Sequence, residues 1–441
     1  MRILKKTLFV ITTITLLIVG CSNVDMPDQT TTGSESPSTH TSPNDFIVTT
    51  NTQATSNIEP HTTHAPVSST TKEVDQLFEG KIAIINHSLL KNYDEFLAAE
   101  MVVRKYGAEK VIHLDPNDRP SEGQELYYDF VNEVGLDPEV KAIIVYQAVP
   151  GVNKYFSKLK KQREDIFIVF VTFQDNLETV QESADLILGI DEVGMGPSMV
   201  YQAKNLGAST FVHYSSPREQ SHHDLSTRQK LIKETCQTLD IDFVEVTDTE
   251  LDSSHYGLQT IEYLVNDVPI KVAQYGKDTA FFSTNCFLQS TLIEAVVKTG
   301  AIYLQPCHPD PYHGFIAALD LEFHYIGINP YNQKIVPASN VVEIIREALK
   351  EREMLGRIST WPESPCLTFT AVSAEYAIKW INGEVPKSGV DTEVLKQLME
   401  NFTGVEVSLT PFVDDYHPYE PDAPPETYDN YLLMRMDYIT F

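Results

Sequence analysis

The chain has 441 residues, 42% of them apolar, with 33 basic against 62 acidic side chains and a formal charge of -29. That length exceeds what one compact layered structure needs and predicts two lobes with sizeable cores. The acidic balance repels phosphate backbones, which argues against a nucleic-acid partner, and five scattered cysteines are too few for a disulfide framework or a paired-thiolate zinc site.

In chain order, Arg2, Lys5 and Lys6 precede the apolar run Leu8 to Val19 and then Gly20-Cys21, the sequence of charged region, apolar core and small-residue cleavage site found in secretory signals. The run is short for a membrane span. Ile18-Val19-Gly20-Cys21 resembles the bacterial lipobox, which implies cleavage before Cys21 and lipid attachment to its sulfur. Residues 1–21 are therefore expected to be a lipoprotein signal peptide. Residues 22–72, rich in Ser, Thr, Pro and Asn, lack the apolar surface to offset the entropy of ordering and are expected to form a disordered tether. His61 and His64 within it are read as solvated linker residues.

From residue 73 onward, apolar runs and amphipathic stretches alternate. Strand Ile82 to Ile85, β-branched and without polar interruption, suits a parallel strand covered on both faces. It breaks into Asn86, His87 and Ser88, where an open α/β sheet presents its carboxyl edge to a ligand. Phe96, Ala99, Val102 and Val103 fall at helical spacing over residues 93–106, with Gly107 as a stop. Strands are predicted over 110–114, 142–146, 167–173 and 184–189, and helices over 125–134 and 155–161, giving a first α/β lobe at residues 73–195.

Gly194-Met195-Gly196-Pro197 marks a crossing to a second α/β lobe at residues 196–330. Its strands are predicted over 210–214, 243–246, 280–283 and 302–304, and its helices over 198–206, 228–239, 256–265 and 289–299. Residues 331–412 carry helices and crossover segments returning to the lobes, predicted over 341–355, 370–383 and 391–401. Residues 413–441, rich in Asp, Tyr and Pro, are expected to be an acidic, extended wrap.

This alternation resembles the type 1 periplasmic-binding-protein fold over residues 78–385, with Ala371 to Ile381 and Asn382-Gly383-Glu384 similar to the late helix that returns to the first lobe. The lipobox, the tether, Ile84-Ile85-Asn86-His87 and Gln305-Pro306-Cys307-His308-Pro309 resemble a family of bacterial lipoproteins catalogued as a domain of unknown function. The fold class expected is α/β, two doubly wound parallel-sheet lobes with an inter-lobe cleft.

Polar strand ends would line such a cleft. Asn86, His87, Gln147, Gln174, Asp175, Asp191, Asn285, His308 and Tyr312 offer amides, imidazoles, carboxylates and a phenol, while Phe173 and Tyr214 offer rings for stacking. Cys307, His308, Asp310 and His313 combine soft and hard metal donors, but the prolines at 306, 309 and 311 fix directions that need not converge, so no metal and no cofactor is expected. His222-His223-Asp224 is read as a polar loop. Nucleophile-elbow, phosphate-loop and zinc-protease motifs are missing, so no catalytic residue is assigned. The function expected is a lipid-anchored extracytoplasmic solute-binding protein, a receptor that delivers a small polar metabolite to a membrane permease or sensor. The alternatives are a surface-anchored metal-dependent hydrolase using the Cys307 to His313 loop, or a non-catalytic cell-envelope interaction protein.

Overall fold

A computed structural model describes residues 77–86, 93–114, 123–146, 151–172, 177–252, 258–321, 338–416 and 424–441. Strands β1 (Lys81–Ile85), β2 (Val111–Leu114), β3 (Val140–Tyr146), β4 (Phe167–Val171) and β5 (Leu186–Ile190) alternate with helices α1 (Tyr93–Tyr106), α2 (Gly123–Leu136), α3 (Val152–Gln162) and α4 (Leu177–Gln181). All five strands pair in parallel. Apart from Lys81, His113 and Lys141 their residues are apolar, because both faces of the sheet are covered. Ile82 and Ile84 share one core with Val102 and Tyr106 of α1, while Ala83 and Ile85 share the other with Val131 of α2 and Phe156 of α3.

The chain then builds a second lobe from α5 (Met195–Asn205), β6 (Thr210–Ser215), α6 (His223–Thr238), β7 (Asp242–Thr247), α7 (Leu258–Tyr275), β8 (Thr279–Ser283), α8 (Gln289–Thr299), β9 (Ile302–Tyr303), α9 (Phe315–Ala318) and α10 (Ala338–Glu351). Its parallel sheet has the order β7-β6-β8-β9. The first lobe's β2-β1-β3-β4 repeats this winding, so each sheet reverses its direction of growth beside its first strand. Open α/β sheets place a ligand crevice outside the carboxyl ends at that point.

The last elements are β10 (Ser359–Thr360), α11 (Pro365–Ile381), α12 (Thr392–Thr403), β11 (Val407–Asp414), β12 (Glu426–Met436) and β13 (Ile439–Thr440). Helix α11 returns to the first lobe, burying Phe369, Val372, Tyr376 and Trp380 in the core that holds Phe167. The extended wrap expected for the tail is corrected: β12 lies parallel beside β5, Leu432 opposite Leu188, and β11 runs antiparallel outside it. The first sheet is thus seven-stranded, β11-β12-β5-β4-β3-β1-β2. Burial explains the pairing, since Tyr428, Leu432, Met434 and Met436 are buried while Glu426 and Asp429 face out. Pro411 sits at a register irregularity of the outermost strand, a position that tolerates a missing N–H.

The backbone passes between the lobes three times, after β5, between β10 and α11, and between β12 and β13. Asp191 ties the first crossing to the third: one carboxylate oxygen accepts the Gly194 N–H at 2.7 Å and the other accepts Arg435 at 2.8 Å. On the lobe-two side, Tyr438 donates to Gln305 Oε1 at 2.5 Å, and the Gln202 amide donates to Thr440 Oγ1 at 3.1 Å. Among the described residues no helix is long and apolar enough to cross a membrane.

Candidate ligand cleft

Charged side chains from both lobes meet at the carboxyl ends of the strands. From the second lobe, Arg228 of α6 is only 2% exposed and reaches Glu192, just past β5, at 2.6 Å. Its guanidinium also lies 5.3 Å from the ring centre of Phe282. The Glu192 side chain keeps 43% of its surface accessible. Even so, desolvation raises its carboxyl above the ordinary range, opposed by Arg228 and His308 and reinforced by Asp224 and Asp191. The carboxylate is thus part-accessible beside a buried cation, at the point where the first crossing leaves β5. Tyr431 of β12 borders the same space: burial, Asp224 and Glu192 raise its phenol. Beneath Arg228, Glu219 accepts the Ser216 N–H at 2.9 Å, and burial pushes its carboxyl up to about 7.

A second cluster occupies the crossing before α11. Glu363 accepts the Ser364 N–H at 2.8 Å and bonds to the Tyr312 hydroxyl. Burial, with Asp310 and Asp94 adding repulsion, pushes its carboxyl up to about 8. Asp94 comes from the first turn of α1, Tyr312 and Asp310 from the loop after β9, and Glu363 from the crossing, so both lobes and their connection contribute. Thr172, at the carboxyl end of β4, is held at φ 52°, a left-handed conformation uncommon for a β-branched residue.

The expected site residues divide into three groups. Asp191, His308 and Tyr312 border these clusters, through Glu192 for the first two and Glu363 for the third. Asn86, Tyr214 and Asn285 are turned inward, which corrects their expected ligand-lining role. Asn86 donates to the Glu95 carbonyl at 2.5 Å and contacts His113 Nε2 at 2.9 Å, fixing β1 to α1. Tyr214 is fully buried, its ring stacked on Phe281 and its hydroxyl donating to Asp267 at 2.8 Å, so it has no face to offer a ligand. Asn285 accepts the Phe287 N–H at 2.9 Å and donates to the Leu251 carbonyl at 2.8 Å. His87, Gln147, Phe173, Gln174, Asp175 and Cys21, the expected lipidation site, lie outside the described residues.

His222 and His223 open α6 rather than lying in a polar loop, and the His223 ring stacks on Tyr416 at 3.9 Å. Of the four candidate metal-donor residues in the 307–313 loop, Cys307 and His313 converge, joined by Cys286 rather than by His308 or Asp310. Arg228, Glu363 and Cys286 are not among the expected site residues. Arg228 and Cys286 carry no local signature, whereas the proline-bracketed Trp361-Pro362-Glu363-Ser364-Pro365 could have marked a crossing.

Two doubly wound lobes with facing carboxyl edges and three connections make the periplasmic-binding-protein type 1 architecture. The chain belongs to the family described as Protein of unknown function (DUF3798), whose model matches residues 80–359. Two Treponema pallidum (strain Nichols) proteins, each described as uncharacterized, are 33% identical to it. One matches over 170 residues, 38% of this chain and 78% of the relative. The other matches over 107 residues, 24% of this chain and 48% of the relative, so the chain spans about half of that second protein. A Clostridium difficile 630 protein described as a transcriptional regulator has a similar crystal structure, with TM-score 0.70 and 19% identity over 82% of this chain and 99% of that one. A sugar ABC transport substrate-binding protein from Bordetella parapertussis 12822 is similar at TM-score 0.41 and 10% identity, over 82% of this chain and 89% of that one. At these identities the structural likeness is one of fold.

Proposed function

We propose that the chain is an extracytoplasmic solute-binding protein, held at the membrane by a lipid on Cys21, that closes its lobes on a small polar solute and presents it to a permease or sensor. The observation that carries this reading is the Glu192–Arg228 pair: an accessible carboxylate of one lobe faces a buried guanidinium of the other across 2.6 Å at the carboxyl edges of both sheets. Carboxylates outnumber cations there, with Glu192, Asp224, Asp94 and Glu363 close to the crossings. Such a lining suits a solute that donates hydrogen bonds through hydroxyl or ammonium groups. Hinge closure about a few backbone crossings is the motion by which binding at such a crevice would be signalled.

Native mass spectrometry of the protein as isolated, followed by thermal unfolding against sugars, amino acids, amines and nucleosides, tests the proposal. Binding at a hundredfold excess over Kd adds about 2.7 kcal/mol and raises Tm by several degrees. No co-purifying molecule and no shift from any class would end it.

A further inference from the structure

Cys286 lies in the short turn between β8 and α8, and Cys307 and His313 lie on the loop between β9 and α9. One ligand atom from each, two sulfurs and an imidazole nitrogen, lies within 4.8 Å of the others. The loops are fastened so as to hold them there. His313 Nε2 is 3.1 Å from the Cys286 carbonyl oxygen, which orients the ring against the other loop. Asp310 Oδ1 accepts the backbone N–H of Tyr312 at 2.7 Å and of His313 at 2.6 Å. Gly314, at φ 86°, packs so closely on α8 that a Cβ there would meet Gln289 Cβ at 2.9 Å. A second observation points the same way: Asp310 is 1% exposed, and its Oδ2 has no hydrogen-bond partner among the described residues. A buried polar atom left in this state is costly and marks a missing donor.

We infer that Cys286, Cys307 and His313 bind a divalent transition-metal ion of the zinc type, whose fourth position is a water that donates to Asp310 Oδ2. Two thiolates and an imidazole are a soft, tetrahedral donor set, and three protein ligands leave one exchangeable position. The thiols bind as thiolates, so the two metal–sulfur bonds form as two protons leave to solvent. A carboxylate that holds the metal-bound water through its outer oxygen orients it without entering the coordination sphere. The site adjoins the second carboxylate cluster through Asp310, but its three metal ligands do not include Glu192 or Arg228, the pair that carries the solute proposal.

Elemental analysis of the full chain, purified under reducing conditions without chelator and equilibrated with Zn2+, should find about one metal per chain. Substitution with Co2+ should give a thiolate-to-cobalt charge-transfer band, and Zn2+ should protect two thiols from alkylation. C286S and C307S should lose the band, and D310N should bind about tenfold more weakly. Should C286S fail to fold, thiol protection in the unsubstituted protein decides. Reduced thiols that alkylate equally with and without Zn2+ would overturn the assignment. So would a Cys286–Cys307 disulfide in the protein as isolated, or Zn2+ bound equally well by the C286S/C307S double variant.

Discussion

Glu363 shows how burial at a single residue can make the fold sensitive to pH. Its carboxyl is raised from 4.5 to about 8, first by burial and then by Asp310 and Asp94. In the folded chain the proton therefore stays on above the pH at which the unfolded chain releases it. Stability from this group is fully present below about pH 4.5, declines as pH rises and is gone above about pH 8. Glu363→Gln keeps an acceptor for Ser364 and removes the titration. The variant should gain roughly 1–3 kcal/mol on the parent between pH 5 and pH 9, measured by urea unfolding. Parallel pH profiles for the two proteins would dismiss this account. Sequence reading located many polar residues at the ends of apolar runs but could not say which turn inward. Asn285 has two backbone partners that only the folded loops supply, and Glu192 meets Arg228 from 36 positions away, in the other lobe.

Among the elements, α1 and α8 have the bounds their periodicity predicts, because an apolar face ends at Gly107 in one and Gly300 in the other. Helix α7 does not. The break expected at residue 265 is overrun to Tyr275, and Pro269 sits inside the helix with its ring exposed. The tail strands are not legible in the sequence, because Pro411 interrupts β11 and the Asp and Tyr residues of β12 mask its alternation. The contact of α5 with α6 leaves no room for a side chain at Gly196. A Cβ on Gly196 would lie 2.9 Å from the Arg228 carbonyl oxygen and 3.1 Å from its Cγ. G196A should therefore cost about 1–2 kcal/mol, the overpacking exceeding the helix-propensity gain of about 1 kcal/mol. It should also shift Arg228 and weaken any solute response. Chemical denaturation beside the ligand screen measures both, and an unchanged or higher midpoint would refute the packing argument.

For the whole molecule, the chain does not finish one lobe before starting the next. Asp191 and Arg435, 244 positions apart, join across it, and β12 completes a sheet begun at Lys81. The repeated strand–helix period made two parallel-sheet lobes legible. A partner strand arriving so late was not, since nothing local links Leu188 to Leu432. A chain ended at Gly404 would bare the edge of β5, whose Leu186, Ile187 and Leu188 are fully buried. An unpaired apolar edge templates association, so the truncated protein should aggregate, as followed by light scattering and size-exclusion chromatography. A soluble monomer with the parent's far-ultraviolet spectrum would contradict this.

The described chain enters β1 at its amino end, the edge of the sheet remote from the crevice. Lys81 N–H meets the Glu139 carbonyl there at 2.7 Å, and the Asn382 amide holds the Leu77 carbonyl at 3.0 Å. Both of these contacts are made within the first lobe, to the loop before β3 and to the carboxyl end of α11. If the lobes close as proposed, a hold at residue 77 would bear on the first lobe and leave the second to move.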